Sequence, residues 1–201
     1  MRSFDDLEIT LDLDAVQRSA DHVRDMLVDL RRRFDLAPFE YTKRVRIAPL
    51  EISHSHPTLT LNTWVRDELG LLSTYLHEQM HWYLTWYSHA HPLRWRDVFQ
   101  ALHDRYPKVP PDAAPDEASI YLHLVVNWLE IEATAQFMDR DRVAEHARAL
   151  PFYRWIYRTV IEDWTPLADL YNDRGLHPLR PATDMSADEL RKAALATEAP
   201  V

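Results

Sequence analysis

An α+β domain dominated by helix is the fold class this chain predicts. Three short alternating or β-branched runs lie before residue 65, and helical hydrophobic patterns fill most of the remainder. A third observation is the count of two glycines, Gly70 and Gly175, which leaves no room for a phosphate-cradling loop of the P-loop or dinucleotide type. In chain order, "LEITLDL" (7–13) alternates like a strand, and Asp14 stands as cap to a helix with apolar positions Val16, Val23, Leu27 and Leu30. "KRVRIAPL" (43–50) and "HPTLTLNTW" (56–64) read as two further strands bounded by prolines and polar residues. One long helix follows over 66–88, and a second over 92–106 with Pro92 in its first turn. The run "PKVPPDAAPDEAS" (107–119) is a proline-rich connection between the two halves of the fold. A third, unusually apolar helix covers 117–138, and "DRDRVAEHARAL" (139–150) and "FYRWIYRTVIEDWTPLADLY" (152–171) are both helical and amphipathic. From about residue 176 a polar, proline-bearing tail is expected to be loosely attached, with a weak helical stretch after Ser186.

Composition bounds what such a domain can do. At 46% hydrophobic residues, with 7 Trp, 9 Tyr and 6 Phe, residues 1–201 can bury one sizeable core and form a single domain. The net charge of −9, without a basic block, argues against nucleic acid or an anionic membrane as partner. Absence of cysteine excludes disulfides, thiolate metal sites and a cysteine nucleophile, so any metal must be held by His, Asp or Glu. "MRSFDDLEIT" has no export pattern, and the most apolar helical stretch, "YLHLVVNWLEI", is short and broken by polar residues. A cytoplasmic protein is expected. The sequence says nothing about oligomeric state.

The chemistry-bearing segment is "YLHEQMHWYL" (75–84), which contains H-E-x-x-H. His77 and His81 sit one helical turn apart on one face, so both imidazoles can reach one ion. Glu78 then lies beside the metal rather than on it, placed to serve as general base for a metal-activated water. A lone buried histidine is usually a satisfied core residue, but a same-face pair with this glutamate points to a metal. A third ligand is still required. A histidine six residues after the second would serve, but Tyr87 occupies that position, and His89 and His91 come late enough to be solvated residues at the helix end. The helix at 117–138 offers two glutamates. At about 100° per residue, His123, Asn127, Glu130 and Thr134 form one polar stripe on an otherwise apolar helix, with Glu132 roughly 160° from Glu130. Buried polar groups need partners, and a metal centre would supply them, so Glu130 is the expected third ligand. If the stripe were instead a solvent face, Glu132 would be the first substitute. His123 and Asn127 are candidates to orient a ligand or polarise a substrate carbonyl, or else satisfied polar core residues. His54 and His56 allow a second metal site, though a solvated pair before a turn is the simpler reading.

With "HEQMH" (77–81) and a later helical glutamate within "NWLEIEATAQF", the chain resembles the zincin superfamily, and specifically its glutamate-type branch, the gluzincins. A family pattern of glutamate, small residue and alanine would favour Glu132 as ligand, against the helix face, which favours Glu130. The resemblance implies Zn2+ bound by two histidines and a glutamate, with Glu78 as general base and acid. It also implies a small N-terminal sheet packed over the active-site helix, to whose edge a peptide or protein substrate adds as a strand. "HPTLTLNTW" could be that strand. The expected function is a zinc metallopeptidase. The alternatives are a zincin-like module that keeps its metal for binding or regulation, and a helical protein with no metal.

Overall fold

The computed structural model describes residues 13–65 and 67–177, with side chains described from residue 17 onward. The expected strand over 7–13 lies outside these residues but for Leu13, as does the helical stretch after Ser186. The first helix, α1 (Leu13–Arg33), already contains Asp14 in its first turn. A short 3-10 turn (Ala37–Phe39) leads to β1 (Val45–Ile47) and β2 (Leu59–Leu61). Then come α2 (Glu68–Ala90), α3 (Pro92–Arg105), α4 (Glu117–Thr134), α5 (Arg140–Ala149), α6 (Arg154–Glu162) and α7 (Trp164–Asn172). The molecule is thus mainly helical, with a small two-stranded parallel sheet.

Helix starts follow the capping chemistry of the sequence. Asp67, Asp116 and Asp139 each accept the backbone N–H three residues on, capping α2, α4 and α5. Residues 152–171 do not form the single helical run their pattern suggests. Pro166 cannot donate to the carbonyl of Glu162 and its ring would crowd it, so the chain breaks at Asp163 into α6 and α7. Asp163 then accepts from Tyr106 Oη at 2.7 Å and Arg105 Nη2 at 3.1 Å, tying the break to the end of α3.

At the centre α2 packs along α4, and both are buried over most of their circumference. The other helices and the sheet surround this pair. β1 and β2 run parallel, Val45 opposite Leu59 and Ile47 opposite Leu61, and β2 is wholly buried against α2. On the other edge of β2, His54 exchanges both backbone hydrogen bonds with Thr60 as an antiparallel bridge. The segment facing outward from the sheet is therefore 53–55, not the strand "HPTLTLNTW" itself. Trp82 Nε1 donates to the Ser55 carbonyl at 2.8 Å and pins this segment over α2.

Gln79, within the H-E-x-x-H run, is fully buried and anchors the approach to β1. Its Oε1 accepts from Tyr41 N and Thr42 N at 2.9 and 3.0 Å, and its Nε2 donates to the Thr42 carbonyl at 2.9 Å. Gln79→Leu removes three hydrogen bonds to the backbone and should cost about 2–4 kcal/mol, read as a lower urea midpoint at unchanged slope. An unchanged midpoint would mean that water replaces the amide. At the other end, Tyr87 Oη donates to the Arg174 carbonyl, Tyr83 Oη to the Gly175 carbonyl at 3.4 Å, and Leu176 is buried. The chain is thus docked on α2 as far as His177. Among the described residues no helix is long and apolar enough to cross a membrane.

Candidate metal centre

His77 and His81 project from one face of α2, and α4 crosses that face with His123 and Glu130. Ligating atoms of His77, His81 and His123 all lie within 4.8 Å of one another. The two Nε2 atoms of the α2 pair are 3.3 Å apart. His77 Nδ1 faces Glu130 Oε2 at 2.9 Å, and a carboxylate accepts, so Nδ1 carries a proton and, in the neutral ring, Nε2 keeps its lone pair. Likewise His123 Nδ1 donates to the Ser119 carbonyl at 2.7 Å, leaving its own Nε2 free. Burial, together with the neighbouring imidazoles, holds His81 well below the usual histidine range and pushes His123 down to about 4. His77 goes the other way: burial opposes its charge, but the hydrogen bond and charge of Glu130 outweigh it. His77 and His81 can share a proton across 3.3 Å, and with all three rings neutral the imidazoles are a donor set that suits a divalent transition ion.

Glu130 is 2% exposed and fully engaged. Its Oε1 accepts from Ser73 Oγ, and its Oε2 from His77 Nδ1 and from Tyr157 Oη at 2.7 Å. The structure thus places it behind His77 rather than beside the three Nε2 atoms. The side chains brought within ligating distance are His77, His81 and His123. Glu132 points elsewhere, with its carboxylate on Arg140 Nη2 at 2.5 Å. The polar stripe itself is buried: His123, Asn127, Glu130 and Thr134 are 6, 0, 2 and 0% exposed, which excludes a solvent face. Asn127 is fully buried. It is not among the residues that line the cleft, and its amide has no partner among the described residues.

The cluster opens into a cleft of about 750 Å³ lined by residues 52–55, by Asp112–Pro115 of the proline-rich connection, and by Leu150–Tyr153. Glu78 lines it too, 6% exposed, and its carboxylate makes no hydrogen bond or ion pair with any described residue. Burial raises it to about 7, with His77 and His54 opposing and Glu130 adding to the rise. A carboxyl poised near neutrality and free of partners is suited to taking up and returning a proton.

Tyr153 was not singled out by the sequence. It caps α6 in the left-handed region at φ 50°, the one non-glycine residue among those described with positive φ. Such a conformation costs about 1–2 kcal/mol, and here it lays the Tyr153 ring against His123 at 4.1 Å between centroids. No local pattern announces this. Ser73, by contrast, precedes His77 by one turn and was available to the same helix-face reasoning.

The remaining histidines stand apart. His54 Nδ1 bonds the Ile52 carbonyl at 2.9 Å, while His56 is packed rather than solvated, stacked on Trp82 and bonded to Ser55 and Thr85. His89 is exposed and bonds the Thr85 carbonyl, and His91 caps the end of α2. Among the described residues neither pair joins a group of potential ligands. Compared with known proteins, the chain matches no family model, no curated sequence and no solved structure.

Proposed function

We propose that the cleft is the active site of a metal-dependent peptidase of zincin-like character, with a zinc ion held by His77, His81 and His123. The observation that carries this reading is the convergence of three imidazole donors beside an unpartnered buried carboxylate at the floor of an open cleft. When bound, zinc would supply Lewis acidity and stabilise negative charge developing on a carbonyl oxygen. Glu130 would hold the plane and tautomer of His77, as Ser119 would those of His123. Glu78 would take a proton from water in the cleft onto its carboxylate and return it to the leaving amine. The Ser53 N–H and C=O and the Ser55 N–H have no partner among the described residues, and both residues line the cleft. They offer a main-chain edge to which an extended peptide can add.

The direct test is turnover of an unbiased peptide library by the purified protein, before and after chelation. Cleavage should vanish with the metal and return with stoichiometric zinc. Cleavage that survives complete chelation would remove the metal from the reaction.

A further inference from the structure

Six large hydrophobic side chains are substantially exposed among the described residues, and three of them, Ile52 (70%), Trp64 (56%) and Phe152 (58%), line the one cleft that holds the histidine cluster. They come from separate loops: before the His54 bridge, after β2, and before α6. Each forgoes burial that would stabilise the fold, and apolar side chains gathered around a polar floor mark a binding site. The charges point the same way. Among the described residues no lysine or arginine lines the cleft, whereas Asp112 stands exposed on its rim, outside the histidine cluster. At the rim, away from the histidine floor, this carboxylate disfavours anionic groups.

Resting on the peptidase reading, we infer that the cleft selects an extended polypeptide segment bearing large apolar side chains, neutral or basic in charge, and rejects acidic ones. The unpaired edge at Ser53 and Ser55 would hold any main chain. Ile52, Trp64 and Phe152 would read the side chains, and Asp112 would weigh against carboxylates. The selection is thus made by the loops around the histidines rather than by the histidines themselves.

Binding is measured rather than cleavage, using the Glu78→Gln protein supplied with zinc and fluorescently labelled peptides followed by anisotropy. One peptide is rich in leucine and phenylalanine, a second carries interspersed lysines, and a third has glutamates at those positions. The first two should bind, and the third at least about tenfold more weakly. Trp64→Ala and Phe152→Ala should each weaken the apolar peptide by at least about fivefold. Leu93→Ala, an exposed position off the cleft, should leave it unchanged. Equal binding of the glutamate peptide, or indifference to both aromatic truncations, would overturn the inference. So would binding to neutral phosphatidylcholine vesicles that is lost in the same two variants while peptide binding is not, since the apolar rim would then serve a lipid surface. A wild type that binds in this pattern but cleaves nothing would instead sink the peptidase reading and leave the selectivity standing.

Discussion

His123→Ala is expected to empty the metal centre, with zinc per chain after dialysis falling close to that of His77→Ala. The reason is geometric: three imidazole nitrogens within 4.8 Å make one site, and removing any of them leaves two donors on a single helix, too few to hold a catalytic ion. Glu130→Gln should behave differently. An amide can still accept from His77 Nδ1, though more weakly than a carboxylate, and loss of such an orienting partner costs roughly 10–100-fold in affinity. Glu132→Ala, whose carboxylate meets Arg140, should keep its zinc. Competition with a chromophoric chelator orders the four variants. Were Glu130→Gln to lose metal as completely as His123→Ala, the carboxylate would be a ligand, as the sequence led one to expect, and His77 would turn from Glu130 on loading.

Glu78→Gln should keep its metal and lose turnover, by about 10²–10⁴-fold in kcat. The substitution preserves volume and removes the group that accepts the proton. Glu78 has no described partner in the fold, so nothing structural should fail with it. Circular dichroism and zinc content serve as controls, and a peptide mixture read by mass spectrometry supplies the activity. Wild type and variant equally inert over a broad mixture would favour a domain that keeps its ion for binding or regulation.

Most helices were legible because their apolar spacing is a local property; the caps Asp67, Asp116 and Asp139 went unread, and the one cap expected, Asp14, lies inside α1. The α6–α7 break was legible in principle from Pro166, but the amphipathic pattern runs through it and hides it. The angular step of a helix put Glu130 rather than Glu132 on the polar stripe and made it the expected third ligand; in the structure Glu130 meets His77 Nδ1 and Glu132 meets Arg140. What a lone helix cannot reveal is its axial offset against a neighbour. That offset sets His123, rather than Glu130, level with the α2 pair. Tyr153 and Tyr157 depend on a loop with a left-handed residue and on how α6 returns to α4, and neither leaves a periodic trace. The edge segment 53–55 was hidden for a similar reason: it pairs through a single bridge, too short to alternate.

Glu130 accepts at once from Ser73 and His77 on α2 and from Tyr157 on α6, while belonging itself to α4. One acidic group therefore acts as the keystone of three rods, and its tolerance for replacement is correspondingly narrow. Aspartate would stop a methylene short of its donors, glutamine would turn an N–H toward one of them, and an apolar residue would strand all three. Replacing Glu130 therefore disturbs three helices at once, whatever the cleft holds, whereas the loops around the mouth carry no such shared contact.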